Sequence, residues 1–441
     1  MTIDAKPLSG FPELTHGQAK KLNEYKVKLA QTLNVHGYTP TESPCILKYE
    51  VLTGGHEDTD KQIFNWKKTD DGTHLGLRFD LTVPFAAYIA NNFNSLVFPF
   101  KRCEIGKVWR GERAQKGRYR EFYQCDFDIV GSTAISADLQ IMRTAVKALA
   151  DDLEVKNITV KLNNIKILKA ILNNLNFINE SAEILRILDK FEKVKDEGVR
   201  RQLLAIGIEE ERAVYLLGFL TKERDSEQVI KMLRNLFKDD ADLLKEVDSL
   251  EFLATTFAKF LAPDQNLKIE LYLARGLGYY TGTIFEIYLT DSMELGSVCS
   301  GGRYDDLTSR YGKTKVVGVG ASIGLSRLFN NLDQTFKKHK ECLIVTEPSM
   351  PADLAYILER DLEETYQWIE VYPQTLPNSA NSISLSKQLA FANKEGFNFA
   401  IIIAPTEYND HKSFILKDMN NKTQEILTLE NLKLKLGYAP E

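Results

Sequence analysis

The segment that decides the fold of this chain reads FPFKRCEIGKVWRGERAQKGRYREFYQCDFDIVG and spans Phe98 to Gly131. Its two arms, Ile105 to Trp109 and Glu121 to Val130, are rich in β-branched and aromatic residues, which favour strands. The polar centre GERAQKGRYR separates the arms. The segment is therefore predicted to form a β-hairpin.

The predicted hairpin concentrates positive charge in a chain whose formal net charge is −5. Such a hairpin suits a ligand rich in phosphate, whereas a solvated, salt-bridged loop is the alternative for a short motif. The charged residues from 101 to 121 are Lys101, Arg102, Lys107, Arg110, Arg113, Lys116, Arg118 and Arg120 against Glu104, Glu112 and Glu121.

Arg110 and Glu112 lie two residues apart, and along a strand this spacing places both side chains on one face. An arginine fork binds phosphate through two hydrogen bonds, and a carboxylate accepts from an exocyclic amine such as that of adenine. Phe122 on the second arm could stack on a purine ring. These residues predict a nucleotide site on the hairpin.

The same segment resembles motif 2 of the class II aminoacyl-tRNA synthetases, and ERAQKGRYREFYQ resembles the version found in the histidyl-tRNA synthetase family. Three later stretches agree. ARGLGYYTG (274–282) and GGRYD (301–305) resemble stretches peculiar to the histidine enzymes, and GVGASIGLSRL (318–328) resembles motif 3. The resemblance extends along nearly the whole chain.

The resemblance implies an α+β fold, in which an antiparallel-sheet catalytic domain carries a helical insertion and is followed by a C-terminal α/β anticodon-binding domain. The length agrees, because 441 residues are too many for one core. The expected segments are 1–164 and 264–332 for the catalytic domain, 165–263 for the insertion, and 338–441 for the C-terminal domain.

For ATP, the resemblance implies cations around the phosphates and a platform for adenine. Arg110 and Arg275 would be catalytic at the α-phosphate, where negative charge increases during reaction. Mg²⁺ would accompany ATP and bridge its phosphates, with no other metal site and no tightly bound cofactor. The implied ATP-binding residues are Arg110, Glu112, Arg113, Phe122 and Arg327.

For histidine, the resemblance implies that Asp80 and Thr82 hold the ammonium group, Gln124 the polar backbone end, and Asp128 an imidazole N–H. Asp80 could also cap the helix that follows, and Asp128 could instead cap its own hairpin. The implied histidine-binding residues are Asp80, Thr82, Gln124, Asp128, Arg275, Tyr279, Tyr280 and Tyr304.

Strand-like residues flank RGLGYYTG, so this stretch is predicted to be the turn of a glycine-rich hairpin. Its glycines and those of GGRYD would let the backbone approach a ligand. Arg275, Tyr280, Arg303 and Tyr304 are predicted to line a pocket there.

The partners implied are ATP, L-histidine and tRNA(His). Motif 1, a helix from Gln18 to Leu33 followed by an extended TPTESPCILKYEVL with Pro44, would form the seam of a homodimer. From Lys338 onward ten Lys/Arg stand against fifteen Asp/Glu, so RNA contact there must depend on few residues. The implied tRNA-binding residues of the hairpin are Lys116, Arg118 and Arg120.

The composition excludes several other classes of protein. No apolar run is long enough to span a bilayer and no signal peptide is evident, so a cytoplasmic protein without membrane or DNA partners is expected. The five cysteines form no CxxC or Cys/His cluster, which argues against zinc and against a disulfide framework. They are predicted to be reduced thiols in the core.

Two other functions stay open at this point. A non-aminoacylating regulatory subunit of ATP phosphoribosyltransferase would share the fold but tends to lose ATP-contacting residues and the C-terminal domain, which this chain keeps. A nucleotide-binding RNA module without catalysis would not require the tyrosines of the histidine enzymes. Gly278 and Ser326 stand where acidic residues are usual in the family, although neither is among the contacts named above.

Overall fold

The computed structural model describes residues 4–54, 62–68, 70–112, 119–274, 279–306, 308–312, 315–332, 342–351, 353–363, 369–373 and 383–437. The chain forms two compact units, Met1–Thr335 and Phe336–Glu441. No helix among the described residues is long and apolar enough to cross a membrane.

The first unit is built on strands. They are β1 (Thr39–Pro40), β2 (Ile46–Lys48), β3 (Asn65–Lys67), β4 (His74–Leu77), β5 (Phe100–Trp109), β6 (Glu121–Val130), β7 (Ile158–Asn164), β8 (Gln265–Ile269), β9 (Thr283–Leu289), β10 (Cys299–Tyr304) and β11 (Gly318–Ile323). Eight of them form one sheet in the order β1-β5-β6-β11-β10-β9-β7-β8, and β2-β4-β3 form a small second sheet. The large sheet is antiparallel except for its two edge pairs, β1 with β5 and β7 with β8.

Helices cover and extend this sheet. They are α1 (His16–Val35), α2 (Tyr49–Thr53), α3 (Thr82–Asn92), α4 (Ile135–Lys147), α5 (Ile165–Asn174), α6 (Ser181–Leu188), α7 (Phe191–Ala205), α8 (Glu210–Thr221), α9 (Ser226–Leu236), α10 (Ala241–Ala258) and α11 (Leu325–Phe329). Short 3₁₀ turns lie at Phe93–Ser95, Thr290–Leu295 and Thr308–Arg310, and a π turn at Ala148–Asp152 extends α4. As expected for a helical insertion, the fully described stretch between β7 and β8 contains helices and no strand.

The predicted hairpin is confirmed. β5 and β6 pair without interruption from Phe100 opposite Val130 to Trp109 opposite Glu121. The second arm has the predicted bounds, and the first begins earlier than predicted, at Phe100. Strand β6 is buried on both faces along most of its length. Successive side chains point to opposite faces of a strand, and in β6 one of these faces is apolar and the other is polar.

The apolar face of β6 contributes to the main core of the unit. Phe127 and Ile129 belong to one cluster of buried side chains with Leu29 and Leu33 of α1 and Ile141 of α4. Helix α1 begins at a capping box made by Thr15 and Gln18, and it ends before Gly37, whose φ of +80° suits glycine. The predicted first helix is therefore present and two residues longer at each end.

The second unit is a small open α/β sheet, as predicted. Its strands are β12 (Cys342–Thr346), β13 (Ile369–Val371), β14 (Phe399–Ile403), β15 (Ser413–Asp418) and β16 (Gln424–Thr428), and its helices are α12 (Asp353–Glu363), α13 (Leu385–Glu395), α14 (Pro405–His411) and α15 (Leu429–Gly437). The sheet order is β13-β12-β14-β15-β16. The first three strands are parallel, whereas β15 and β16 join antiparallel as a hairpin.

Four predictions about local structure are wrong. The arms on either side of RGLGYYTG do not form a hairpin, because β7 lies between β8 and β9 and pairs with both. Residues 49–52, predicted to be extended, lie in α2. Pro44 lies in the irregular segment between β1 and β2 rather than in a strand, and the neighbouring Cys45 is exposed rather than a core thiol.

Candidate active site

The polar face of β6 carries Gln124, Asp126 and Asp128, all more than nine-tenths buried. Opposite Asp128 on β5 lies Arg102, whose side chain is completely buried. Its Nη2 lies 2.8 Å from Asp128 Oδ2 and donates to Leu81 O at 3.1 Å. Arg102 therefore connects β6 to the segment before α3. The prediction that Arg102 contributes to the basic surface of the hairpin is wrong.

Asp128 has a second partner on the other side of β6. Tyr304 of β10 donates its hydroxyl to Asp128 Oδ1 at 2.7 Å. Asp128 lies within the strand and not at a turn, so the alternative that it caps its own hairpin is wrong. The structure thus brings two of the predicted histidine-binding residues into direct contact.

Asp80 lies in the same electrostatic environment. Its Oδ1 accepts from the backbone N–H of Val83 at 3.1 Å, which confirms that it caps the start of α3. Its Oδ2 is buried and has no hydrogen-bond partner among the described residues. Thr82 is the first residue of α3 and is half-buried. Asp80 therefore performs its capping role while keeping one acceptor for a ligand.

Burial raises the pKa of all three carboxyl groups. The pKa of Asp80 is about 6 and that of Asp126 about 7, because desolvation disfavours the charged form more than Arg102 favours it. The pKa of Asp128 is raised for the same reason, against the opposing effects of Arg102 and Tyr304. Groups with such shifts mark a site at which a cation or a proton donor would be stabilised.

Gln124 is oriented by its neighbours on β11 and β6. Its Nε2 donates to Ser322 Oγ at 2.6 Å, and Ser322 Oγ donates to Asp126 Oδ1. Gln124 Oε1 is buried without a hydrogen-bond partner among the described residues. It is a second buried acceptor, besides Asp80 Oδ2, that a ligand could satisfy.

Arg110 lies beside this group, just beyond the end of β5. Its Nε donates to Phe79 O at 3.1 Å, and its guanidinium lies 5.2 Å from the centre of the Phe122 ring. Since β5 ends at Trp109, strand alternation does not apply to Arg110 and Glu112. The base of the loop is closed instead by Arg120, whose Nε donates to Glu112 O at 2.9 Å.

Arg327 lies on α11, which packs against β6. Its Nη1 donates to Ser297 O at 2.7 Å. The preceding Ser326 accepts the backbone N–H of Tyr123 at 2.8 Å, so this departure from the usual acidic residue still provides an acceptor for β6. The predicted motif 3 helix is thus fixed to the predicted motif 2 strand.

The tyrosines of the glycine-rich stretches lie close together. The ring centres of Tyr279 and Tyr280 are 4.7 Å apart, and those of Tyr279 and Tyr304 are 6.2 Å apart. Arg303, by contrast, forms an ion pair with Asp138 of α4 and donates to Ser132 O at 2.9 Å. Its prediction as a pocket wall is wrong, because it alternates with Tyr304 and lies on the other face of β10.

Part of the predicted site lies outside the described residues. This part comprises Arg113, Lys116, Arg118 and Arg275. Gly278, which is not among the predicted contacts, also lies outside the described residues. Among the described residues, no three His, Cys, Asp or Glu side chains form a group that could hold a metal ion.

Sequence reasoning missed Arg102, Asp126 and Ser322. The pattern QCDFD contained a signal for Asp126, because alternation along the predicted strand places it on the face of Gln124 and Asp128. The burial of Arg102 had no local signal, since the residues that surround it come from other elements.

Comparisons with known proteins decide the family. The family model described as histidyl-tRNA synthetase matches residues 10–328. The histidine--tRNA ligase of Clostridium tetani is 36% identical, over 96% of this chain and 96% of that protein. The chain belongs to the histidyl-tRNA synthetase family. A histidyl-tRNA synthetase from Nostoc sp. PCC 7120 has a similar structure, with a TM-score of 0.81, 27% identity, and 99% of each chain covered.

A structure from Bacillus halodurans C, titled as an ATP phosphoribosyltransferase regulatory subunit/histidyl-tRNA synthetase, also has this fold. Its TM-score is 0.73 at 20% identity, and the match covers 91% of this chain and 99% of that one. At this identity the likeness shows the fold alone. The class II fold with a C-terminal α/β unit is therefore that of the histidyl-tRNA synthetase family, as the sequence predicted.

Proposed function

We propose that this protein is a histidine--tRNA ligase, which activates L-histidine with ATP and transfers it to the 3′-terminal ribose of tRNA(His). One observation carries the proposal beyond family membership. Two buried acceptors, Asp80 Oδ2 and Gln124 Oε1, have no partner among the described residues. Gln124 lies on β6 with Phe122, and Phe79, the neighbour of Asp80, accepts from Arg110 Nε. A site for an ammonium group thus adjoins a site suited to a nucleotide.

In the first step, a carboxylate oxygen of histidine attacks the α-phosphorus of ATP. A new P–O bond forms, the bond to pyrophosphate breaks, and histidyl-adenylate results. Two negative groups approach each other, so the site must supply cations where charge increases. Arg110 and Arg275 are proposed at the α-phosphate, and Arg113 and Arg327 at the other phosphates.

Adenine would lie against Phe122, with Glu112 accepting from its exocyclic amine. Arg110, which already lies over the Phe122 ring, would continue the stack towards the phosphates. Mg²⁺ would enter as part of the ATP complex, since phosphate oxygens are the ligands it prefers. Adenine would then be held by residues of one hairpin, and Arg275 and Arg327 would reach the phosphates from outside it.

The imidazole ring is proposed to lie near Asp128, Tyr279, Tyr280 and Tyr304. Asp128, held by Arg102 and Tyr304, would accept from one ring N–H. A pocket with fixed, buried polar groups rejects substrates that leave those groups unpaired, so discrimination at this site would need no editing domain.

In the second step, a hydroxyl of the terminal ribose attacks the carbonyl carbon of the adenylate, and AMP leaves. Lys116, Arg118 and Arg120 on the hairpin loop are proposed to hold the acceptor end of the tRNA, chiefly through its phosphates. The C-terminal unit, 338–441, is proposed to bind the anticodon through a few residues. Within the first unit we propose two domains. One is a helical domain formed by 165–263, and the other is a catalytic domain formed by 1–164 together with 264–332.

The protein is proposed to be a cytoplasmic homodimer with motif 1 at its seam. The exposed apolar side chains of this region support a covered surface, since Val35 is 84% exposed and Ile46 is 49% exposed. Light scattering at micromolar protein should give twice the chain mass. A fully active monomer would contradict the dimer proposal.

The deciding experiment is ATP–pyrophosphate exchange measured with each of the twenty amino acids separately. Histidine alone should support exchange, and tRNA(His) should then accept labelled histidine. A regulatory subunit would bind histidine without exchange, and a nucleotide-binding RNA module would show no dependence on histidine. Either result would contradict the proposed function.

A further inference from the structure

Ser322 forms hydrogen bonds with two polar side chains of β6, those of Gln124 and Asp126. Gln124 Nε2 donates to Ser322 Oγ at 2.6 Å, and the Ser322 hydroxyl donates to Asp126 Oδ1. Gln124 and Asp126 are each more than nine-tenths buried, and Ser322 lies on β11 directly opposite Asp126. We call these three residues the amide relay.

The proton inventory of the amide relay fixes which way the Gln124 amide faces. An ionised carboxylate only accepts hydrogen bonds, so the Ser322 hydroxyl must use its single hydrogen to donate to Asp126. The Ser322 oxygen must then accept, and only the nitrogen of the Gln124 amide can donate to it. The amide oxygen is consequently directed away from Ser322, and this orientation follows from chemistry rather than from an arbitrary choice between nitrogen and oxygen.

The amide oxygen exposed in this way has no partner among the described residues, and Asp80 Oδ2 shares this property. An unpaired buried acceptor is costly, and two of them match a ligand group with several N–H donors and positive charge. We propose that Ser322 and Asp126 are positioning residues for histidine, which hold Gln124 so that its amide oxygen accepts from the substrate ammonium. This inference rests on the proposed function and adds two residues to it.

The charged groups around Asp126 make this arrangement dependent on pH. Glu104 faces it from β5, but Glu104 is paired with Arg78 at 2.8 Å. Arg102 favours the ionised form of Asp126, whereas Asp80 and Asp128 disfavour it together with burial. The pKa of Asp126 is consequently about 7, so its carboxylate form predominates only above neutral pH. Once protonated, Asp126 can donate to Ser322, whose hydroxyl hydrogen is then no longer committed to Asp126. The Gln124 amide is then not restricted to facing Ser322 with its nitrogen and can flip.

The test uses two inhibitors of histidine-dependent exchange that differ in the group the amide relay would serve. L-Histidinol carries the imidazole and the ammonium but no carboxylate. 3-(Imidazol-4-yl)propanoate carries the imidazole and the carboxylate but no ammonium. In Ser322→Ala, the inhibition constant of histidinol should rise about tenfold, as for loss of a hydrogen bond to a charged group, and that of the propanoate should stay within about twofold.

Asp126→Asn should also raise the inhibition constant of histidinol and leave that of the propanoate within about twofold, because a neutral amide no longer dictates where the hydroxyl proton goes. The double variant should weaken histidinol binding no more than Ser322→Ala alone, since both changes interrupt one chain of hydrogen bonds. The matched control is Thr159→Val, which removes a buried hydroxyl from the same sheet, where Thr159 Oγ1 lies 2.9 Å from Thr290 Oγ1. Thr159→Val should change neither constant.

A pH profile separates positioning from simple stabilisation. The ratio of the two constants is compared between variants at each pH, because the titration of each inhibitor itself is the same for every variant and cancels in that comparison. In the wild type, the preference for histidinol should begin to decline as pH falls through about 7, and in Ser322→Ala the decline should be confined to lower pH, where Asp80 is protonated. Equal weakening of both inhibitors in a folded variant would overturn the proposal. Absence of histidine-dependent exchange in the wild type would instead contradict the proposed function itself.

Discussion

Tyr304 and Asp128 form a hydrogen bond of 2.7 Å although β11 separates their strands. The contact is possible because β11 has glycines where the two side chains cross it. Gly318 lies opposite Tyr304 and Gly320 lies opposite Asp128. A Cβ at position 318 would lie 2.5 Å from the Tyr304 ring, and one at position 320 would lie 1.8 Å from Asp128 Oδ1. The proposed imidazole site therefore depends on a strand without side chains at these two positions.

Gly320→Ala should displace Asp128 and impair histidine binding. We expect the histidine KM to rise by about tenfold or more while the ATP KM stays within about threefold, because only the carboxylate and its tyrosine partner are disturbed. The free energy of unfolding should fall by about 1 to 3 kcal/mol, as is usual when atoms are forced into a filled core. Steady-state exchange kinetics and thermal denaturation measure the two effects.

Gly218→Ala in α8 is the matched control, because nothing lies within 4 Å of a Cβ built at Gly218. It should leave both KM values unchanged and stabilise the helix slightly. An unchanged histidine KM in Gly320→Ala would show that Asp128 does not contact the substrate.

Asp126 should make the stability of the protein decrease as pH rises from about 4 to 7. Its pKa is about 7 in the folded protein against an ordinary value of 3.8, so in this window the folded state holds a proton that the unfolded state has released. The free energy of unfolding then falls with rising pH. Asp126→Asn cannot ionise and should lose less stability than the wild type between pH 4.5 and about 8.

Thermal denaturation at closely spaced pH values measures this difference. Asp242→Asn provides the comparison, because Asp242 is fully exposed and its pKa is lowered by Lys245. That variant should follow the wild type across the window. Parallel profiles for the wild type and Asp126→Asn would mean that Asp126 ionises in the folded protein as easily as in water.

The parts of the fold that sequence predicted are those determined by neighbouring residues. The hairpin of β5 and β6 follows from two alternating arms around a polar centre, and the end of α1 follows from Gly37. The pairing of β8 was not predictable in this way. Its partner β7 precedes it by more than 100 residues, and the sequence near either strand contains no signal for their pairing across the helices between them. Proximity along the chain suggested a hairpin with β9, and tertiary pairing overrode it.

The candidate site divides in the same manner. Asp80, Gln124, Asp128 and Tyr304 carry a family pattern, and the structure brings them to one region. Arg102 belongs to the same arm but was interpreted as surface charge. Its environment includes Asp128 of β6 and, at the start of α3, Leu81 and Phe85. Both of these segments are distant from Arg102 in the sequence. A buried cation of this kind is recognised only once its partners are known.

Lys161 should fix the helical segment to the sheet. It lies buried on β7, forms an ion pair with Glu192 of α7, and donates to the Tyr272 hydroxyl at 2.8 Å. Burial alone would raise the pKa of Glu192, but hydrogen bonds from Lys161, Lys195 and Tyr272 hold it at about 2. Lys161→Met should lower the free energy of unfolding by about 3 kcal/mol, because Glu192 would lose its buried partner.

Limited proteolysis and denaturation at neutral pH measure this loss, and cleavage should increase between residues 165 and 263. The stabilisation by Glu192 is present above pH 4.5 and is lost as pH falls towards 2, so the two proteins should converge at acid pH. Lys245→Met is the control, since the Lys245–Asp242 pair is exposed and worth little. Equal cleavage of the two variants would show that Lys161 does not anchor the segment.

Arg275→Ala should slow adenylate formation much more than it weakens ATP binding. The chain that leads into position 275 is held by Asn163, whose Nδ2 donates to Leu271 O at 3.1 Å and to Leu273 O at 2.9 Å. A cation that acts where charge increases contributes in the transition state, and its removal should cost about 3 kcal/mol in the rate.

Single-turnover measurements with histidine and labelled ATP give this rate directly, and the ATP concentration dependence gives binding. Arg275→Lys should recover part of the rate, because a point charge remains while the planar fork of donors is lost. Asn163→Ala tests the anchor and should slow the same step to a smaller extent with Arg275 still present. If Arg275→Ala formed the adenylate at the wild-type rate, the cation at the α-phosphate would have to be Arg110 alone, and the assignment of Arg275 would be withdrawn.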